Sequence, residues 1–273
     1  MHTFFKLILL LILCIPFNGL SQGFSLSNGK KFEKVNFKLI NNLIIIPIEV
    51  NGVKLSFILD SGVSKPILFN VSDQDSVQLR DVSEITIKGL GGGDPIKGLS
   101  SKNNVFQLNE ISNYNQLLYV VLDKQMNFSP SLGIPIHGIM GYDLFRDFVV
   151  EINYSSEYIK FHDPEFYKEK ENKKSQTLPL TIRRNRAYID GNIGLSTAKD
   201  VPVKLLIDTG STDAVWLFKD EEKGLGIPEQ NYQDFLGEGL NGSIFGKRTK
   251  VNAIKLGDFA LKEAKAAFPD MET

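Results

Sequence analysis

The chain has 273 residues, with 31 Lys and Arg against 32 Asp and Glu. That balance leaves no net charge to draw it to nucleic acid or to an anionic lipid surface. Phe (19) and Gly (23) are prominent, and apolar residues alternate with polar ones in many short runs, which favours an all-β protein with tight turns, in one large or two small domains.

Residues 1–21 read as a secretory signal. Lys6 gives a weak positive start, and Leu7 to Ile15 is a continuous apolar run too short to span a bilayer comfortably. Pro16 breaks the run, and Gly19-Leu20-Ser21 offers small residues for cleavage before Gln22. An uncleaved N-terminal anchor is the alternative. Cys14 is the single cysteine and lies inside this segment, with Leu13 where lipidation would want a small residue. The mature chain is therefore expected to carry no disulfide and no membrane span, and to work in the periplasm or outside the cell.

Three strands are predicted first: Val35 to Ile40, Leu43 to Val50 and Val53 to Leu59. Asn41-Asn42 and Asn51-Gly52 are the turns between them, Asn-Gly between apolar runs being a strong hairpin signal. Shorter strands follow at Ile85 to Lys88, Asn104 to Leu108, Leu117 to Leu122, Phe148 to Asn153 and Tyr158 to Phe161. Helical periodicity is scarce, and the short helices expected are near Asp143 to Arg146 and Gln230 to Leu236. Residues 163–176, almost uninterrupted polar and charged, read as a solvated linker.

The segments on either side of that linker resemble each other. Asp60-Ser61-Gly62 ends the apolar run from Val53, and Asp208-Thr209-Gly210 ends the apolar run from Val201, an offset of 208 − 60 = 148 residues. At that offset Gly91 falls on Gly239, Gly98 on Gly246, Lys102 on Lys250, Asn104 on Asn252 and Leu108 on Leu256. Register kept through strand, turn and glycine alike predicts an internal duplication: a first lobe over 22–162 and a second over 177–273. Gly138-Ile139-Met140-Gly141 of the first lobe would recur near 138 + 148 = 286, past Thr273, so the second lobe is expected to be C-terminally incomplete or to close differently.

Strand-end aspartates followed by Ser/Thr-Gly have a physical use. Gly62 and Gly210 permit a tight turn and close approach of the two loops. The Ser61 and Thr209 hydroxyls can each hydrogen-bond to the opposite loop. Two carboxylates held close together cannot both ionise easily, so the pair shares a proton. One member can then act as base on a water while the other donates to a carbonyl. Ser211 follows Asp208 by three positions where Val63 follows Asp60, so only Asp208 is expected to gain a hydroxyl donor, leaving Asp60 the more easily protonated member. Glycine-rich stretches follow each aspartate, with Gly91, Gly92, Gly93 and Gly239 as candidates for a mobile flap; an ordinary interstrand loop is the plainer reading.

Other signals carry little. Gly237, Gly239 and Gly242 match a dinucleotide spacing but precede no helix. His137 and His162 alone remain after the signal, too few for a histidine-based triad or a histidine-rich zinc site. Paired carboxylates also serve glycosidases, but no cluster of sugar-stacking aromatics accompanies them.

Taken together, the two Asp-Ser/Thr-Gly motifs, Asp208-Thr209-Gly210-Ser211-Thr212 and the apolar-apolar-Gly segment Ile139-Met140-Gly141 resemble the pepsin/retropepsin-type aspartic proteases, in particular exported bacterial members with tandem lobes, over roughly residues 35–270. The resemblance implies two closed β-barrel lobes with a cleft between them, and Asp60 and Asp208 as the catalytic dyad. Ser61, Gly62, Thr209, Gly210 and Ser211 would support that dyad. It implies an endopeptidase acting on an extended polypeptide with no metal or organic cofactor, as a monomer in preference to a dimer. The family's flap often carries a tyrosine, which this chain lacks between Gly89 and Gly98. A non-catalytic peptide-binding module on the same scaffold is the rival expectation.

Overall fold

A computed structural model of the chain describes residues 23–27, 29–69, 77–89, 91–122, 127–169, 174–195 and 200–270. The expected signal segment lies outside them. The described residues are nearly all β, with two short helices, Ser129–Leu132 and Tyr142–Asp147. No described helix is long and apolar enough to cross a membrane.

The strands form three sheets. In the first, Val53–Leu59 lies between Leu43–Val50, antiparallel to it, and Gly138–Met140, parallel to it. Gly138–Met140 in turn pairs Ile67–Leu68, which pairs Ile111–Val121. The long strand Ile96–Leu108 pairs Leu43–Val50 near one end and Ile111–Val121 along most of its length. Val82–Ile87 borders it on the outside. A second, three-stranded sheet joins Phe32–Asn36, Tyr158–His162 and Val149–Asn153. The third holds Thr181–Arg183, Arg186–Gly194, Gly242–Leu256, Phe259–Pro269 and Val215–Trp216, with Val201–Leu206 against Arg186–Gly194 and Tyr232–Gly239 against Gly242–Leu256.

The central position of Val53–Leu59 explains its sequence. A strand covered on both faces reads as a continuous apolar run, and Phe57, Ile58 and Leu59 are all buried. Phe57 and Leu59 pack with Ile44, Ile46 and Phe106, while Ile58 joins Ile45, Ile67 and Ile139 on the opposite side. Truncating a fully buried Phe of this kind costs ~3–5 kcal/mol. Gly138 fits because a side chain there would meet the Phe57 ring at 2.4 Å. The second-half strand Val201–Leu206 has one partner among the described residues, and Leu205 and Leu206 are only partly buried. A separate core of Ile193, Val201, Val215, Leu217, Val251, Ile254 and Phe268 holds that half together.

Leu43–Val50 and Val53–Leu59 have the expected bounds. The predicted strand Val35 to Ile40 is split at Phe37, which leaves Phe32–Asn36 and Lys38–Ile40 in different sheets. The helix expected near Asp143 starts after Gly141, with Asp143 in its first turn and Arg146 in its last, each favourable to the helix dipole. The helix expected at Gln230 to Leu236 is instead part of strand Tyr232–Gly239. Pairing with Gly242–Leu256 overrides the local preference: Leu236 turns into the core, and Phe235 faces out to meet Phe245 edge to face at 5.7 Å between ring centroids. Ser129–Leu132 was not anticipated, although Pro130 early in the helix and Gly133 at φ 70° just past its end are recognisable start and stop signals. The charged segment after His162 is irregular and exposed through residue 169, and Gln176 at its far end donates to the Leu256 carbonyl at 2.8 Å.

Candidate active site

Asp60 is delivered by the end of Val53–Leu59 and fixed from behind. Its backbone N–H donates to the Met140 carbonyl at 2.8 Å, and Tyr142 N–H donates to the Val63 carbonyl at 3.0 Å. The Ile139-Met140-Gly141 segment thus braces the Asp60 loop. Gly141 has no substitute here, because a Cβ would stand 2.2 Å from the Asp60 carbonyl oxygen. Asp208 arrives from the other half, one residue beyond Ile207, whose N–H donates to the Ala187 carbonyl at 2.9 Å.

The two loops grip each other reciprocally. Ser61 N–H donates to Thr209 Oγ1 at 3.0 Å, and Thr209 N–H donates to Ser61 Oγ at 3.1 Å. Each hydroxyl then donates onward, Ser61 Oγ to the Ile207 carbonyl at 2.7 Å and Thr209 Oγ1 to the Leu59 carbonyl at 2.8 Å. Every hydroxyl is donor and acceptor at once, and its strand-end carbonyl partner belongs to the opposite half. Four bonds of this kind, each worth ~0.5–1.5 kcal/mol net, fix the distance between the loops.

The carboxyls are oriented by their own turns. Gly62 N–H donates to Asp60 Oδ1 at 2.7 Å and Gly210 N–H to Asp208 Oδ1 at 2.8 Å. A Cβ on Gly62 would lie 3.1 Å from Asp60 Oδ1 and 3.3 Å from Asp208 Oδ1; one on Gly210 would lie 2.4 Å from Asp60 Cγ. Only glycine lets the loops close this far. The Asp60 and Asp208 carboxyls come within hydrogen-bonding reach of each other. Burial, then the charge of Asp208 and a hydrogen bond to it, raise the Asp60 pKa from 3.8 to about 7 against the pull of the Gly62 N–H. The two sites are unequally covered, Asp60 half-buried and Asp208 exposed.

Ser211 departs from expectation. Its hydroxyl turns to the Asp213 carbonyl at 3.4 Å and not to Asp208, whose Oδ1 already takes the Gly210 N–H. The glycine-rich turns do meet. Gly91, Gly92 and Gly93 lie in the turn between Val82–Ile87 and Ile96–Leu108, and Gly239 precedes the turn to Gly242–Leu256. Between them stands Asn241, buried, which accepts from Gly89 N–H on its side-chain oxygen and from Gly93 N–H on its backbone carbonyl at 2.8 Å. Its amide donates to the Asp94 carbonyl at 2.7 Å.

Several residues in this surround had not been singled out. Asp143 is buried and takes hydrogen bonds from Gln116 (2.8 Å) and Arg146 (2.7 Å), with Lys65 of the Asp60 loop 3.9 Å away. Asp213 accepts from the Trp216 indole at 2.8 Å and pairs with Arg248, which also holds Asp234 at 2.6 Å. Arg186 Nε donates to the Gly62 carbonyl at 2.8 Å, and Asn42 reaches the Thr212 carbonyl at 3.4 Å. Of these only Asn241 carries a readable signal, since Asn241-Gly242 between two β runs marks a hairpin tip. His137 Nδ1 accepts from Ser56 N–H at 3.1 Å, a strand-pinning role. Among the described residues no cluster of three or more His, Cys, Asp or Glu is placed to hold a metal ion.

Comparison with known proteins gives one family. The family model described as "Aspartyl protease" matches residues 46–144 and 189–273, two segments that contain Asp60 and Asp208 respectively. Among solved structures, a retropepsin-like aspartic protease from Rickettsia conorii is similar at 14% identity and a TM-score of 0.29, over 52% of this chain and 93% of that one. No curated protein sequence matches.

Proposed function

This chain belongs to the aspartyl protease family, and from that membership we propose that it is an endopeptidase whose Asp60 and Asp208 activate a single water against a peptide bond. Asp60, which keeps its proton towards neutral pH, donates to the substrate carbonyl oxygen. The Asp208 carboxylate takes a proton from the water as its oxygen bonds to the carbonyl carbon. The tetrahedral adduct collapses when that proton passes from Asp208 to the leaving nitrogen, the C–N bond breaks and the proton given by Asp60 returns to it from the adduct's hydroxyl. Two carboxyls and water suffice for this chemistry. The observation that carries it is the reciprocal Ser61/Thr209 bonding, which holds the two acids at one point.

Within this reading the halves are duplicated lobes, 22–162 and 177–273, joined by the 163–176 linker. The first lobe closes as a barrel through the two pairings of Ile96–Leu108. The cleft takes an extended polypeptide by backbone hydrogen bonds. The turns at Gly91-Gly92-Gly93 and Gly239 serve as paired flaps, with Asn241 joining them. The chain is exported, cleaved after residue 21, and acts as a monomer in the periplasm or outside the cell.

The test is digestion of an unstructured protein at mildly acidic pH, read by mass spectrometry, with wild type and Asp208→Asn in parallel. Loss of ~10²-fold or more in the variant is expected, with circular dichroism unchanged. Equal cleavage by the variant would end the dyad assignment. A wild type that binds the chain without cutting it would make this a peptide-binding module.

A further inference from the structure

The Thr181–Arg183 and Arg186–Gly194 hairpin brings an unneutralised pair of arginines to the edge of the site. Arg183 and Arg186 are direct partners in the antiparallel ladder, so their side chains leave the hairpin on the same face, on the order of 5 Å apart at Cβ. Both are exposed, and Arg184 adds a third exposed charge in the turn between them. Like charges directly opposite each other destabilise a hairpin. Two other arginines are neutralised, Arg146 against Asp143 and Asp147 and Arg248 against Asp213 and Asp234, while Arg80 donates to the Asn103 carbonyl. Neither Arg183 nor Arg186 has an ion-pair partner among the described residues.

The direction of this face is known, because Arg186 donates through Nε to the carbonyl of Gly62. Gly62 is the residue whose added Cβ would touch both carboxyls, at 3.1 and 3.3 Å. With Nε committed to that carbonyl, the outer edge of the guanidinium, its two Nη groups, remains for a ligand. A carboxylate accepts two parallel N–H bonds from such an edge. At ~3.3 Å per residue of extended chain, the site lies on the order of one or two residues from the scissile bond.

We propose that Arg183 and Arg186 form an anionic-residue subsite, which makes the substrates polypeptides with an Asp or Glu flanking the cleaved bond. The proposal rests on the endopeptidase reading for the word "substrate", but its test does not depend on cleavage. Three peptide series, identical except for Glu, Gln or Lys at each position in turn, are bound to full-length Asp208→Asn protein and followed by fluorescence anisotropy. At one or two positions Glu should bind about tenfold more tightly than Gln at low ionic strength, and the difference should shrink as salt screens it. Arg183→Glu should shift that preference towards Lys. It should also raise the thermal midpoint, because it sets opposite charges across the ladder in place of like ones. Equal binding of Glu and Gln peptides at every position, or a preference untouched by Arg183→Glu, would overturn the subsite. Cleavage of the same peptides by wild type is scored separately: binding preference without cleavage removes the endopeptidase reading and leaves the subsite standing.

Discussion

Replacing Asp60 with Asn tests the proton shared at the site through folding stability, independently of any substrate. Asp60 has its pKa raised from 3.8 to about 7 in the folded protein by burial and by Asp208. A carboxyl whose folded pKa lies above its unfolded value holds its proton more tightly in the native state. Its contribution to stability is therefore present in full below the unfolded pKa and is lost as pH rises through the folded one. The window runs from about pH 4 to about pH 7. Roughly three pKa units at about 1.36 kcal/mol each set a ceiling of about 4 kcal/mol, which solvent screening at this half-buried position lowers. Asn has the shape of the protonated acid and no charge to lose. Urea unfolding at intervals from pH 4 to 8 should therefore give wild type and Asp60→Asn similar stabilities at the acidic end. Towards pH 8 the wild type should fall behind by a few kcal/mol. Apart from Asp208, whose charge is coupled to Asp60, the remaining titratable groups are common to both proteins and cancel in the difference. Curves that stay parallel across the window would refute the buried, charge-coupled Asp60.

Thr209→Val keeps the side-chain shape but removes the donor to the Leu59 carbonyl and strands the Ser61 N–H; a loss of ~2–4 kcal/mol is expected by urea titration, with activity falling alongside. Gly210→Ala drives a methyl to 2.4 Å from Asp60 Cγ, so the loops must part: ~1–3 kcal/mol of stability should go, and hydrolysis with it even where the variant stays folded. Asn241→Ala removes the side-chain bonds to Gly89 N–H and the Asp94 carbonyl. Hydrogen exchange at Gly89 and nearby amides of that turn should speed up by about tenfold or more while the sheet cores keep their protection; unchanged exchange would show that the turns are held by something else.

What could be read from the sequence followed from how local its cause was. Val53 to Leu59 and its turns were legible because an Asn-Gly hairpin and a both-faces-buried strand each leave a mark on their own residues. The helix after Gly141 was legible for the same reason, with charges of the right sign at each end. The Gln230 to Leu236 segment was misjudged because its identity as a strand comes from Gly242–Leu256, the partner that follows it in the hairpin. Within the site, Asp60, Asp208, Ser61 and Thr209 stood out because they recur at one offset. Asp143, Asp213 and Arg186 do not recur, and their roles depend on partners such as Gln116, Arg248 and the Gly62 carbonyl that only the folded chain brings near. The direction of Ser211 failed for a related reason. A hydroxyl three residues past a carboxylate has several acceptors in reach, and the turn to Asp213 decides among them.

The most direct measurement is an NMR titration of carboxyl-labelled aspartate in wild type and in Asp208→Asn. The paired site predicts that Asp60 releases its proton near pH 7 in wild type, and that its midpoint drops when the neighbouring charge is removed, while burial keeps it above the ordinary carboxylate range. An Asp60 that titrates at the ordinary value in wild type, or that does not respond to Asp208→Asn, would contradict the account.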